Sequence, residues 1–278
     1  MIMGFRAFNL FKGDWTKLFA FAQERGFGSV QLNKVTERDI PAILGEMERT
    51  GISVSSIGAM SFKLLGPDAE EALQDREMVR EGIRAARELG APCVSQFAGS
   101  DPRKSFEENV AEFKSVFEPL AEYAGECGIK LAVENCPLIN GAPPVVHNFA
   151  YSPYAWDCMF EAVPSPALGL ELDTGHLPYV GVDIERCIRE YAAKIYHVHL
   201  KDCRIDPEKS YRHGKLGHEF YEYAVPGEGD IDFKRVLALL AEIGYEDHIT
   251  LDLRPYTEET ISRGGRYIRG LLDEMQII

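Results

Sequence analysis

The chain has 278 residues, 45% hydrophobic and 27% charged, a composition that is typical of globular domains and excludes disordered, collagen-like and coiled-coil chains. A net charge of −14 argues against a nucleic-acid partner, because phosphate binding usually requires a basic surface. No apolar stretch approaches the roughly 20 residues of a membrane span, and the start lacks a signal-peptide pattern. The six cysteines form no CxxC pair, so we expect reduced thiols and a cytoplasmic location.

Short β-rich segments alternate with amphipathic helical segments along the chain. The β-rich segments are 3–8, 29–33, 52–58, 92–99, 129–135, 167–173, 194–200 and 248–253. Apolar residues at helical spacing are clearest over 70–89, 106–125 and 233–243. Glycines such as Gly51, Gly90 and Gly128 stand between a helical segment and the next strand, where they can close a helix.

This repeating order predicts a parallel sheet, and its length fits a single-domain (β/α)8 TIM barrel over 1–278. The alternative is a doubly wound sheet, which usually carries a glycine-rich phosphate loop after its first strand. Here the first strand is followed by NLFKGDW, without a GxGxxG pattern. A barrel carries its chemistry at the carboxyl ends of its strands, so the residues there are the candidates.

The last four strands of the predicted barrel each end in a residue that can bind a metal. These residues are Glu134, Asp173, His199 and Asp252. Three carboxylates and one neutral imidazole suit a divalent cation such as Mn²⁺, Mg²⁺, Co²⁺ or Zn²⁺. Without a cation the carboxylates would repel one another.

Each strand-end residue also has a purely structural interpretation. Asp173 could cap the turn before His176, and His197 is expected to be a buried, hydrogen-bonded histidine. Lys201 and Asp202 could form a surface ion pair. Ligand-type residues at four neighbouring strand ends nevertheless favour a site.

Three long segments could cover the rim of the barrel. They are 202–225, 136–151 and 61–68, of which the first is predicted to be an irregular lid. Together they indicate an enclosed site for a small molecule.

Four motifs carry a family resemblance. VEN at 133–135, LDTGH at 172–176, HVHLKD at 197–202 and PGEGDIDF at 226–233 resemble the xylose isomerase-like barrel superfamily, the sugar phosphate isomerase/epimerase group. The resemblance implies one divalent metal held by the four strand-end residues, with Asp252 where the family usually has Glu. It also implies substrate contacts for His176 and Lys201, and Gln96 could add one from the fourth strand.

The resemblance implies an isomerase or epimerase of a keto sugar or polyol, working through an enediolate. Glu134 would be the catalytic base and Asp252 its partner on the other substrate face. Because Asp252 is one methylene shorter than the usual glutamate, one-base isomerisation, dehydration and lyase chemistry stay open. The alternative is therefore a dehydratase of the inosose or dehydroshikimate type, or a keto-glycoside lyase.

Two other classes of protein are possible. The apurinic endonucleases of the same superfamily carry extra histidines near the ends of strands three and four, where this chain has none. A non-catalytic sugar-binding barrel would have a weakened metal site, and Asp252 is the feature in its favour. We expect a small-molecule keto sugar or polyol as the partner, no nucleic acid and no membrane, and leave a homo-oligomer open.

Overall fold

A computed structural model describes residues 1–61, 63–141, 144–215 and 220–277. Within these ranges eight parallel strands form a barrel: β1 Ile2–Arg6, β2 Ser29–Asn33, β3 Ser53–Gly58, β4 Cys93–Gln96, β5 Lys130–Glu134, β8 Leu168–Asp173, β9 Ile195–Leu200 and β12 His248–Leu251. The barrel closes in the order β1-β12-β9-β8-β5-β4-β3-β2. The predicted (β/α)8 fold is confirmed.

Helices surround the barrel. Their bounds are α1 Trp15–Glu24, α2 Ile40–Thr50, α3 Ala69–Leu89, α4 Phe106–Glu126, α5 Pro153–Ala162, α6 His176–Val180, α7 Ile184–Glu190, α8 Pro207–His213, α9 Phe233–Glu242 and α10 Glu258–Met275. Sequence signals fix several ends: Ser105 and Glu108 form a capping box at the start of α4, and Gly90 closes α3 at φ 67°. The apolar faces of the helices pack on strands that are buried on both sides, as parallel sheets require.

The segment 202–225 is not an irregular lid, contrary to the sequence prediction. Asp202–Ile205 (β10) pairs antiparallel with Tyr221–Ala224 (β11), and α8 lies between them. The Tyr221 ring packs edge-on against Tyr179 at 5.3 Å, and this contact buries Tyr221 at the start of β11. Residues 216–219 of this segment lie outside the described residues.

Of the other two rim segments, 136–151 is only partly irregular, whereas the described residues of 61–68 form no helix or strand. Ile139–Asn140 (β6) and Val145–Val146 (β7) form a small hairpin within 136–151, where residues 142 and 143 lie outside the described part. In 61–68, the position 62 is likewise not described. Across the described part of the chain, each helix is too short or too polar to cross a membrane.

Candidate functional site

Four side chains from four neighbouring strands meet at the carboxyl end of the barrel. Glu134, Asp173, His199 and Asp252 each offer a ligand atom, and these four atoms lie within 4.8 Å of one another. His199 Nδ1 is 3.7 Å from both Asp173 Oδ2 and Asp252 Oδ2, and 4.0 Å from Glu134 Oε1. All four residues are at most 2% exposed. We call this set the upper cluster.

The motif LDTGH builds one side of the upper cluster. The register of β8 on β9 places Asp173 beside His199. The Thr174 hydroxyl donates to Lys201 O at 2.8 Å, which ties the end of β9 to β8. Position 175 favours glycine, because a Cβ there would lie 2.7 Å from Lys201 Cγ. Asp173 does cap the turn, since its Oδ1 accepts from Gly175 N at 2.9 Å, and its Oδ2 faces the cluster.

The polar atoms of the upper cluster fit a divalent cation. His199 Nδ1, Glu134 Oε2 and Asp252 Oδ1 are buried and have no hydrogen-bond partner among the described residues. Ligand atoms about 2.1 Å from a shared ion lie roughly 3–4 Å from one another, which matches the spacing around Nδ1. Buried polar atoms without partners are rare and costly in folded proteins. The donor set therefore fits one divalent metal ion, and the identity of that metal stays a prediction.

Lys201 already brings a positive charge to the cluster. Its Nζ lies 2.7 Å from Asp173 Oδ2 and 2.6 Å from Asp252 Oδ2. The same Nζ is 3.0 Å from His176 Nε2. A metal ion at the cluster would share these two carboxylates with the ammonium group or displace it.

Burial and neighbouring charges shift the pKa values of the upper cluster in opposite directions. Burial disfavours a charged His199, but Glu171, Asp173 and Asp252 raise its pKa to about 10. Burial also disfavours the Asp173 carboxylate, but His176, Lys201 and His199 hold its pKa well below the usual range. The Asp252 pKa is lowered too, because Lys201 and Arg6 outweigh its burial. All of these shifts favour the charged forms of the cluster.

One layer deeper in the barrel, a second group of polar residues fixes the histidine of the upper cluster. His199 Nε2 donates to Gln31 Oε1 at 2.8 Å, which leaves Nδ1 to face the carboxylates. Glu171 Oε1 accepts from His197 Nδ1 at 2.6 Å, from Gln31 Nε2 at 3.1 Å and from Ser95 Oγ. His197 Nε2 lies 3.0 Å from Thr250 Oγ1. We call Gln31, Ser95, Glu171, His197 and Thr250 the lower layer.

His197 is buried and hydrogen-bonded, as the sequence predicted, and burial lowers its pKa. Gln31 and Glu171 were not among the residues predicted from the sequence. Alternation was the available signal, because Glu171 is two residues before Asp173 and therefore shares its face. Gln31 is likewise a polar residue between the apolar Val30 and Leu32.

A cavity of about 450 Å³ opens above the upper cluster, within the usual size range of small-molecule sites. Glu134, His176, Lys201 and Asp252 all line it. His176 Nε2 is 3.6 Å from Glu134 Oε1 and 3.5 Å from Asp173 Oδ2. The cavity thus gives a small molecule direct access to four of the predicted site residues.

Gln96 is not brought to the cavity. Its amide oxygen accepts from Ser61 N at 3.1 Å, and its amide nitrogen donates to Phe97 O at 3.0 Å and to Ser61 O. These contacts use the side chain to hold main chain at the end of β4. The predicted contact between Gln96 and a substrate has no support from this geometry.

Asp202 also has a structural task, and it is no surface ion pair with Lys201. It is fully buried and accepts from Gly227 N at 3.0 Å, Gly229 N at 2.8 Å and Ile231 N at 3.2 Å. A Cβ at Gly229 would lie 2.2 Å from Asp202 Oδ1, which explains the glycine in PGEG. Hydrogen bonds to Asp202 therefore join the HVHLKD motif to the PGEGDIDF motif.

Arg6, at the end of β1, is a cavity residue that was not predicted from the sequence. Its side chain is 9% exposed, and its Nη1 is 3.5 Å from Asp252 Oδ2. Its Nε has no hydrogen-bond partner among the residues described. A charged residue inside the first barrel strand was the sequence signal for it.

Comparison with curated proteins finds inosose dehydratases. The inosose dehydratase of Geobacillus kaustophilus is 26% identical over 247 residues, which cover 82% of this chain and 76% of the relative. That of Clostridium tetani is 38% identical over 100 residues, 34% of each chain. The second match thus spans about a third of that relative's length.

Solved structures share the whole fold. An L-ribulose 3-epimerase superposes with a TM-score of 0.77 at 18% identity, covering 99% of this chain and 97% of the other. The IolI protein with a bound zinc atom superposes with a TM-score of 0.75 at 19% identity, covering 99% of each chain. At these identities the likeness concerns the fold.

The family model described as xylose isomerase-like TIM barrel matches residues 19–271, which is most of the chain. The specific isomerase or epimerase activity implied by the motifs is not confirmed, and the dehydratase alternative is better supported by the relatives. With the barrel, the convergent strand ends and this match together, the chain belongs to the xylose isomerase-like TIM barrel family.

Proposed function

We propose that the protein is a metal-dependent dehydratase that removes water from a cyclic polyol ketone. The observation that carries the proposal is the Glu134 carboxylate, whose Oε2 is buried without a partner among the described residues, at the floor of the cavity. The dehydratase relatives support elimination over isomerisation or epimerisation. The metal would be held by Glu134, Asp173, His199 and Asp252.

Glu134 takes the proton from the carbon beside the ketone. Its free Oε2 is the basic atom, and general-base catalysis of this kind contributes about 10²–10⁴-fold. When bound, a divalent cation supplies positive charge that stabilises the negative charge developing on the carbonyl oxygen. The buried setting strengthens every such interaction relative to water.

Lys201 and His176 act on the leaving group. They lie 3.0 Å apart and both line the cavity beside the carboxylates of the upper cluster. As the carbon–oxygen bond at the β-carbon breaks, its oxygen takes a proton from Lys201 and leaves as water. The electron pair left by the abstracted proton forms the carbon–carbon double bond, so the product is an unsaturated ketone.

Asp252 acts as a charged ligand and anchor and not as a second base. Its Oδ2 contacts both Lys201 Nζ and Arg6 Nη1, so one face of the carboxylate is engaged by two cations. This arrangement supports a ligand and anchoring role over the role of second base. A reaction with one base, such as dehydration, fits it better than two-base epimerisation.

Deuterium exchange tests the proposal. The metal-loaded protein is incubated in D2O with a panel of inososes and keto sugars, and NMR follows exchange and product formation. We expect exchange beside the ketone and an unsaturated ketone from at least one cyclic member, with both lost after chelation. Interconversion of epimers without loss of water would favour the epimerase alternative.

A further inference from the structure

Cations outnumber carboxylates among the described residues that line the cavity. Arg6, Lys34, Lys201 and Arg254 line it, whereas the lining carboxylates in the described residues are Glu134 and Asp252. Both carboxylates belong to the upper cluster, where Asp252 Oδ2 pairs with Lys201 Nζ at 2.6 Å and lies 3.5 Å from Arg6 Nη1. We call the remaining cations, Arg6, Lys34 and Arg254, the cationic wall.

Arg6 is the buried member of the wall and is poorly satisfied. Among the described residues, its five N–H donors meet one carboxylate oxygen, at 3.5 Å, which is at the outer limit for a hydrogen bond. Its Nε is buried and unpartnered within the part of the chain that the structure describes. A guanidinium that is taken out of water needs partners for its charge and its donors. This points to a ligand that supplies acceptor oxygens beside Arg6.

Arg254 is held beside Arg6 by aromatic rings. Its Cζ lies 5.4 Å from the centroid of the Phe8 ring and 5.5 Å from that of Tyr256, and the two rings stack at 5.0 Å. Arg6 Cζ lies 5.6 Å from the centroid of the same Phe8 ring. Phe8 therefore brings two guanidinium groups to one wall of the cavity.

Composition does not explain the wall. The chain has 44 acidic and 30 basic residues, so acidic partners for a surface arginine or lysine are abundant. Yet Lys34 and Arg254 form no ion pair with any carboxylate among the residues described, while cations of the helical surface such as Arg84 and Arg235 do. Lys34 and Arg254 are both exposed and line the cavity, so their charges are available to an anion that enters it.

From these contacts we infer that the substrate carries an anionic group, a carboxylate or a phosphate, that binds to the cationic wall. A guanidinium matches the paired oxygens of either group through two parallel hydrogen bonds. The inference rests on the proposed function in one respect: the polyol ring lies over Glu134 while its anionic substituent contacts Arg6, Lys34 and Arg254. The reaction would then be dehydration of an anionic, not a neutral, polyol ketone.

Matched ligand pairs test the inference by titration calorimetry on the metal-loaded protein. The pairs are quinate with its methyl ester, and myo-inositol 1-phosphate with myo-inositol, because each pair shares a ring and differs in charge. We expect the anionic member of at least one pair to bind at least about tenfold more tightly, as a hydrogen-bonded charge pair allows. A gain confined to the first pair identifies a carboxylate, and a gain confined to the second identifies a phosphate.

Variants of the cationic wall test whether it causes the tighter binding of the anionic ligands. Arg254→Met and Lys34→Met should each reduce the preference for the anionic member, whereas Arg84→Met, on the outer face of α3, should keep it. Arg6→Met should abolish it, with bound metal measured in parallel because Arg6 contacts Asp252. Equal affinity within both pairs, no binding by any of the four ligands, or a preference that survives the wall variants would overturn the inference. If deuterium exchange into a ketone persists alongside any of these results, the inference is wrong but the proposed dehydratase function is still supported.

Discussion

At the mouth of the barrel, the carboxylates of the upper cluster keep oxygen atoms without hydrogen-bond partners among the described residues, and the ring of His199 presents a free Nδ1 to them. One layer deeper, the lower layer contains the same residue types with more of their polar atoms hydrogen-bonded. There Glu171 Oε1 accepts from three side chains, although its Oε2 has no hydrogen-bond partner among the described residues, and both nitrogens of His197 are engaged. Residue type alone therefore does not separate the two layers; the clearest difference is that His199 keeps Nδ1 free, whereas both nitrogens of His197 have partners.

Glu134→Gln, in the upper cluster, should have the largest effect on turnover. The amide cannot accept the proton, so turnover should fall about 10²–10⁴-fold while the thermal unfolding midpoint stays close to that of the parent protein. Turnover by NMR and melting by circular dichroism measure both. Retention of more than about a tenth of the parent turnover would remove Glu134 as the base.

Glu171→Gln makes the same substitution one layer deeper, and we expect the opposite balance. Here the charge lost is a hydrogen-bonded partner of His197 and His199, so the free energy of unfolding should fall by about 2 kcal/mol. Denaturant unfolding measures the loss. The comparison of the two layers fails if this variant is as stable as the parent protein while Glu134→Gln unfolds easily.

Gln31→Met tests the link between the layers. Without the acceptor at Gln31 Oε1, His199 loses the contact that keeps Nδ1 directed at the carboxylates. Loss of such a supporting contact typically weakens metal affinity about 10–100-fold. Competition with a fluorescent chelator measures the affinity. Asn148→Leu is the control, because it removes a buried amide that bonds to main chain instead. It should lower the stability of the fold more than it lowers the metal affinity.

His248, at the start of β12 on the opposite end of the barrel, should give the smallest effect. Burial lowers its pKa to about 4 from 6.5, so the unfolded chain binds more protons than the folded chain between those values. Stability is therefore lost as the pH falls through this window. His248→Gln should remove about 1 kcal/mol of the loss between pH 7 and pH 5.5, a shift of roughly 2–4 °C in melting temperature. An unchanged pH dependence would show that His248 does not contribute.

The sequence predicts the barrel well because the strand–helix alternation and the helix-closing glycines are local signals. It also locates the upper cluster, since Glu134, Asp173, His199 and Asp252 each stand at a strand end, and parallel strand ends meet by topology. Of the lower layer it predicts His197 as buried and hydrogen-bonded, and it does not single out Glu171, Gln31 or Arg6. The contacts of Gln31 and Arg6 join β2 and β1 to strands more than 100 residues away, which spacing within one strand does not reveal.

One expectation from the sequence is wrong and another is unsupported, and both depend on contacts that the local sequence does not show. The segment 202–225 is predicted to be irregular because its polar residues hide the period of β11, which becomes clear only when Tyr221 packs against Tyr179. Gln96 stands at a strand end like the residues of the upper cluster. It turns instead to the main chain of residues 61 and 97, where its amide supplies the hydrogen-bond partners that this bend requires.

The central claim is that the upper cluster binds one divalent cation, and crystals grown with Mn²⁺ test it most directly through anomalous scattering. We predict a single strong anomalous peak about 2.0–2.6 Å from ligand atoms of Glu134, Asp173, His199 and Asp252. Lys201 Nζ should move away from Asp173 Oδ2 and Asp252 Oδ2, because the ion takes over those oxygens. A manganese-soaked crystal with no peak at the cluster, and with the Lys201 ammonium still between the two carboxylates, would contradict the account.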